Sequence, residues 1–318
     1  MRSAVVRERR GPLRAVAVAA VAVGMLVGCG SGPSQIGAAA LIGDNTVIPV
    51  DRVQQQLDIV LTKEGEQAKA ELVAGSQLDY VSQEILTQAV RHELLVVAAR
   101  REGLSVDEEQ INDVIGRLGG PEMASAGTVY DAQGIRTRAR DQLLAVELGR
   151  KYLPRLSATV DYTTAGTRTA AMQRVQQLSE AGSERAREII AADAEQGVAA
   201  ALDQDIIAAE NPGLAAAPIF GVDEGTVVAF TSDQDGGSWL VMVVTDRSTN
   251  TQGGGEVDEL GPALLEATGL RQLIPVAKDL GVRINPRYGV WDPLSVRVAP
   301  NENETAGFVA PLREPPAA

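Results

Sequence analysis

The sequence predicts a mainly α chain with a small α+β part, and three stretches carry that expectation. Between Leu78 and Glu102, Val81, Ile85, Leu86, Ala89, Val90, Leu94, Val97 and Ala98 recur at three- and four-residue spacing, which makes one broad apolar helical stripe. Val227 to Phe230 and Trp239 to Val244 are short apolar runs, rich in β-branched residues, on either side of a polar Ser232 to Ser238 turn, the pattern of a hairpin. Helical spacing then returns from Val257 to Leu280 through Leu260, Leu264, Leu265, Leu273 and Val276.

The chain begins with a basic stretch, Arg2, Arg7, Arg9, Arg10 and Arg14 against Glu8, followed by an uncharged apolar run from Ala15 to Val27. That layout is a signal peptide over residues 1–28. The apolar run has 13 residues, too short at about 1.5 Å each to cross a hydrocarbon core of about 30 Å. Its end, Leu26-Val27-Gly28-Cys29, resembles a bacterial lipobox, with an aliphatic residue three before the cysteine and a small residue just before it. The resemblance implies cleavage before Cys29 and a diacylglycerol, with palmitate-type acyl chains, on its sulfur. Two or three chains give stable attachment where one is marginal. Gly30 to Ser34 then forms a small-residue tether, with the folded part expected from residue 38.

Composition narrows the chemistry. In 318 residues there are one cysteine, one histidine, and 42 acidic against 29 basic side chains, for a formal charge of -13. One cysteine rules out an intrachain disulfide and any multi-cysteine metal cluster, and one histidine rules out a histidine-pair metal site. The negative balance opposes a nucleic-acid partner, whose phosphates such a surface repels. Removing five arginines and one glutamate with the signal peptide makes the mature charge -17, so the membrane is reached through lipid and not through the protein surface. Neither a phosphate-binding glycine loop nor a nucleophile elbow is present. The sequence therefore predicts no cofactor, no metal and no catalytic residue. The acidic run Asp107-Glu108-Glu109 is read as the first turn of a helix, where carboxylates favour the dipole.

Along the mature chain, Ala38 to Ile42, a Gly43-Asp44-Asn45 turn and Thr46 to Val50 predict a strand-turn-strand unit. Pro49 and Asp51 suit a helix start, and a first helix is expected from Asp51 to Lys63. The long helix ends at Gly103. Ser105 with Glu108 three residues on matches a capping box before Ile111, Val114, Ile115 and Leu118. Gly119-Gly120-Pro121 breaks that helix, and Ile135 to Leu153 predicts another. Helices are expected over Thr167 to Leu178 and Arg185 to Leu202, and Thr249 to Gly255 is a glycine-rich linker. The Val257 to Leu280 helix carries Pro275 as a kink, Gly281 closes it, and Val282 to Asn285 alternates as a strand. Beyond Pro300 the polar composition predicts a disordered tail, 301–318.

The order of Ala38 to Ile48, a helix, the Gln83 to Glu102 helix and Gly103-Leu104-Ser105-Val106-Asp107-Glu108-Glu109 resembles the amino-terminal domain of the SurA and PrsA extracytoplasmic chaperones and foldases. Asn285-Pro286-Arg287-Tyr288-Gly289-Val290-Trp291-Asp292 is similar to a carboxyl-terminal signature of SurA-like lipoproteins. The resemblance implies a SurA-like helical domain made of residues 38–160 and 256–300, closed by the late helix and by a strand at Ile284 pairing near Leu41 or Val47. It also implies a degenerate parvulin-like α+β insert over 161–249. Parvulin sites use paired histidines beside a cysteine or aspartate, and this segment has neither histidine nor cysteine; His92, the one histidine, sits on the long helix as a surface or interhelical residue. Phe220, Phe230, Met172 and Met242 are the apolar candidates for a proline pocket, but apolar residues at such positions are more often core. The expected function is a lipid-anchored chaperone on the extracytoplasmic face that binds unfolded or translocating polypeptides without catalysis. The alternatives are an active prolyl isomerase and a lipoprotein docking one folded envelope partner.

Overall fold

The computed structural model of the chain describes residues 37–74, 77–231, 237–251 and 260–313. The signal peptide, Cys29 and most of the tether lie outside the described residues, as do most of the 249–255 linker and the last five residues.

Strands β1 (Ala38–Ile42) and β2 (Thr46–Pro49) form the expected hairpin, with Leu41 opposite Val47. Helix α1 (Val50–Ala74) is broken by non-helical backbone at Gly65, so its first segment matches the predicted helix. Pro49 ends β2 instead of opening that helix. Helix α2 (Leu78–Glu102) has the predicted bounds. Its stripe of Ile85, Leu86, Val90 and Leu94 is buried, and Gly103 closes it in the left-handed conformation at φ 66°.

Helix α3 (Glu108–Arg117) corrects the expected cap. Asp107, not Ser105, is the N-cap: its carboxylate accepts from the Gln110 N–H at 2.8 Å, and the Gln110 side chain accepts from the Asp107 N–H at 3.1 Å. An apolar staple favours this register. It places Val106 just before the cap and Ile111 at the fourth helical position, and both pack in one small core with Ile115 and Ile135. A cap at Ser105 would put Glu109 where Ile111 now packs.

A short helix, α4 (Pro121–Ser125), leads to α5 (Ile135–Tyr152). There follow β3 (Ser157–Ala165), α6 (Arg168–Glu195), β4 (Ala201–Ile207), β5 (Thr226–Thr231) and β6 (Trp239–Ser248). The two helices predicted between Thr167 and Leu202 are one run, interrupted at Gly182 with φ 74°, and Leu202 lies in β4.

The carboxyl-terminal part contains α7 (Pro262–Arg271), α8 (Leu273–Leu280), β7 (Val282–Ile284), β8 (Val290–Asp292), β9 (Arg297–Ala299) and β10 (Gly307–Pro311). The break between the helices falls at Gln272 and not at Pro275. Pro275 sits in the first turn of α8, where its missing N–H costs no helical bond.

Strand β7 pairs antiparallel with β1, Ala40 opposite Ile284 and Leu41 opposite Arg283, the contact expected for that late strand. The disordered tail is corrected over 301–313: β10 is the edge strand of a five-stranded antiparallel sheet in the order β10-β5-β6-β3-β4. Local polarity concealed this strand. Its backbone bonds to β5, and the rings of Phe308 and Trp239, 5.6 Å apart with the Arg168 guanidinium over both, hold it in place.

The architecture is thus mixed α+β. Helix α6 covers one sheet face through Leu178, Ile190, Val227, Val241 and Trp239. The opposite face, with Val228, Phe230, Leu240 and Met242, shares a continuous core with α2, α5, α7, α8 and β1. Helices α5 and α7 cross on glycines: a Cβ at Gly149 would lie 1.9 Å from the Leu265 carbonyl oxygen, and one at Gly269 would lie 1.8 Å from that of Ala145.

Candidate functional site

An apolar groove of about 420 Å³ lies where α8 meets the sheet edge. Helix α8 supplies Ile274 and Ala277 to one wall; Trp291, Pro293 and Leu294 form a second, and Val309, Ala310 and Pro311 of β10 a third. Both β10 and β7 pair on one side only and end their sheets, so two edge strands border the groove; on β10 the Pro311 carbonyl accepts from the Ser179 hydroxyl and that of Gly307 from the Thr305 hydroxyl. Val309 is 43% exposed. Lys278 and Asp223 form an ion pair at the rim.

Local chemistry holds these walls in place. Gly221 allows its turn to approach α8, since a Cβ there would lie 2.6 Å from Ile274 Cδ1 and 2.7 Å from the Arg271 carbonyl oxygen. The buried Asp292 carboxylate accepts from the N–H groups of Leu294, Ser295 and Ala306 and from the Ser295 hydroxyl, which folds the turn after β8. From the helices, Arg271 Nη1 donates to the Leu294 carbonyl at 2.6 Å and Arg91 Nε to that of Val296 at 2.7 Å. Burial lowers both guanidinium pKa values, and the carbonyl contacts supply the hydrogen bonds that burial removes. The turn holds Val296 at φ 52°, a left-handed conformation that is costly for a β-branched residue.

A second depression, a cleft of about 550 Å³, lies within the helical part. Val60 and Leu72 of α1, Tyr80, Val81, Glu84 and Gln88 of α2, the Gly127–Tyr130 loop and Arg138 line it. Lys63 Nζ anchors the loop by donating to the carbonyls of Ser125, Thr128 and Tyr130 at 3.0, 2.6 and 2.9 Å, and Gln56 donates to that of Val129 at 2.7 Å. The cleft within the helical part is thus mixed in polarity, and the apolar groove lies at the seam with the sheet.

His92 is interhelical. Its Nδ1 is 2.9 and 3.0 Å from the two Asp141 carboxylate oxygens on α5. The hydrogen bond to Asp141 raises the imidazole pKa above its ordinary value, against the lowering effect of burial. Phe220, Phe230 and Met242 are buried in the main core, while Met172 is 48% exposed on α6, so the four apolar candidates do not form one pocket. In the acidic run, Asp107 caps α3 and Glu108 pairs with Arg136 and Arg140, which lower its carboxyl pKa. No group of three or more potential metal ligands occurs among the described residues.

One polar network was not expected from sequence. Asp161, fully buried on β3, accepts from Arg187 at 2.9 Å and from the Asp203 backbone N–H at 2.8 Å, and Arg187 also holds the Asp203 carboxylate at 2.7 Å. The Asp203 and Asp161 contacts raise the Arg187 pKa, and Arg187 in turn lowers that of Asp203. Arg187 is shared between the two carboxylates, so the network ties α6 to the β3–β4 pair. Asp203 at φ 54° marks the bulge where this occurs.

No family model matches the chain, and no curated protein matches it. Among solved structures it is similar to the foldase protein PrsA of Lactococcus lactis, with 10% identity over 78% of this chain and 95% of that one and a TM-score of 0.25. PrsA of Streptococcus pneumoniae is 13% identical over 79% and 97%, with a TM-score of 0.23. Likeness at these scores carries no weight for function. Among the described residues, no helix is long and apolar enough to cross a membrane.

Proposed function

We propose that this chain is a chaperone-like protein of the extracytoplasmic face, anchored through lipid on Cys29, which binds apolar stretches of unfolded or translocating polypeptides without catalysis. The observation that carries the reading is the apolar groove bordered by two edge strands. An extended polypeptide satisfies both features: its side chains fill the groove and its backbone meets an edge strand. Each apolar side chain buried contributes about 1.5 to 3 kcal/mol, before the cost of ordering the client. Two or three such side chains give weak, reversible capture suited to holding a chain and releasing it. The non-catalytic part rests on the sheet, whose inner face with Phe230 and Met242 is filled by Phe220 and its neighbours, and on the placement of the one histidine on α2.

The test is suppression of aggregation of several unrelated unfolded clients by the mature protein, with Val309→Asp as the groove variant. Equal suppression by both proteins would move binding away from the groove, and no suppression by either would refute the chaperone reading. For the anchor, Cys29→Ala is expected to leave the membrane fraction; retention there would refute lipid attachment.

A further inference from the structure

Three partly or largely buried arginines, Arg91, Arg271 and Arg247, have no carboxylate within ion-pair distance among the described residues; each bonds through Nε and one terminal nitrogen, and Arg247 is the one that lines a pocket. Arg91 and Arg271 each donate to two backbone carbonyls. Arg247, on β6, donates from Nε to the Phe220 carbonyl at 2.9 Å and from Nη2 to Gln272 Oε1 at 3.3 Å, and its Nη1 has no hydrogen-bond partner among the described residues. It also lines a pocket of about 160 Å³ between α2, α5, β6 and α8, together with Arg101, Glu102, Tyr152, Thr249 and Gln272.

The charges of that pocket leave one positive charge over. Glu102 is held by Lys151 at 2.7 Å and by the Tyr152 hydroxyl at 2.7 Å. Burial pushes its carboxyl pKa up, but those hydrogen bonds outweigh it and leave it below the ordinary value. Arg101 is paired with Asp279 at 2.9 Å. Nearby Asp223 attracts Arg247 through space, but Asp223 is itself paired with Lys278. Burial lowers the Arg247 pKa, so a bound anion would recover stability that desolvation removes.

We propose that this pocket binds a carboxylate, with Arg247 Nη1 as the principal donor and the Thr249 hydroxyl and Arg101 beside it. A planar monoanion matches the one uncompensated charge and the guanidinium edge. A phosphate dianion is disfavoured because Glu102 borders the same space and Arg101 is already paired with Asp279. The volume admits a carboxylate with one small residue, which suits a polypeptide's carboxyl end or a small free acid. The site does not depend on the groove, so either can fail without the other.

The test is titration of the mature protein with N-acetylalanine, N-acetylalaninamide and inorganic phosphate, observed through the Arg247 Nε–H resonance. N-acetylalanine is expected to shift that resonance saturably, with binding at least about tenfold tighter than that of the amide or of phosphate. Arg247→Lys, which keeps charge but loses the fork, should weaken binding about tenfold. Arg101→Gln leaves the Arg247 anchor intact and should weaken it about threefold. Equal binding of acid and amide, tighter binding of phosphate, or no saturable shift would each overturn the proposal. To separate the two sources of the carboxylate, peptides with a free carboxyl end are compared with amidated peptides carrying an internal glutamate. Competition by the first alone assigns a chain end, and competition by both assigns any carboxylate.

Discussion

The cleft and the groove are built in different ways. The walls of the cleft come from one contiguous stretch, Val60 to Arg138. The groove draws on Gly221 to Thr226, Ile274 to Val282 and Trp291 to Pro311, brought together only when α7 and α8 dock and β7 and β10 pair. The locally built site is mixed in polarity, and the one assembled over long range is apolar. An apolar surface made of short segments from distant parts of the chain forms only in the folded state, which limits its exposure in the unfolded chain.

That contrast breaks most readily at the α5–α7 crossing. Gly269→Val pushes a side chain into the Ala145 backbone and should cost more than about 3 kcal/mol, measured by denaturant unfolding, with loss of client binding at the groove. In the helical part, Gly116→Ala on α3 meets nothing within 4 Å and should be neutral or stabilising by about 0.5 to 1 kcal/mol. A comparable loss from both would refute the distinction. Asp292→Ala leaves three backbone donors and a hydroxyl in the Trp291–Leu294 wall without their acceptor. About 1 to 3 kcal/mol should be lost, together with groove binding, while hydrogen exchange in α2 and α5 changes little.

Smaller effects sharpen the assignment of binding. Val309→Asp should weaken client binding about tenfold, whereas Tyr80→Ser in the cleft, at a side chain 62% exposed, should change it less than about twofold. The reverse ranking would move the client to the cleft. The smallest effect is a dependence on pH. Because the His92 pKa is raised in the folded protein, protonation favours folding. Its contribution is complete below the unfolded value of about 6.5 and is lost as pH rises through the folded value. Wild type should lose about 1 kcal/mol relative to His92→Gln between pH 5 and pH 8, read from thermal unfolding at each pH. Parallel curves for the two proteins would show that the pair with Asp141 contributes nothing.

Much of the helical part was legible. The apolar stripe of α2 and the glycine at its end determine its bounds, and the β-branched runs at β5 and β6 determine their hairpin. Strand β3 was not legible, because two of its polar residues are buried and satisfied by distant partners: Asp161 by Arg187 and Thr163 by Asp193. Alternation of polar and apolar residues identifies a strand only when the polar side faces water. Trp291 and Asp292 lie in the Asn285 to Asp292 run, and nothing local indicates that one lines a groove and the other folds its wall.

By itself, the sequence determined the composition that excludes cysteine and histidine metal clusters, the layout around Cys29 that predicts a lipid anchor, and the elements whose periodicity is local. Only the tertiary structure decided that β7 returns to β1, that β10 completes the sheet and that an apolar groove opens between them. It also decided that Arg247 faces a pocket, while Arg91 and Arg271 each bond to two backbone carbonyls. Those outcomes depend on which distant groups satisfy a buried charge or an unpaired strand edge, and on where packed helices leave space. Neither quantity exists until segments hundreds of residues apart are in contact.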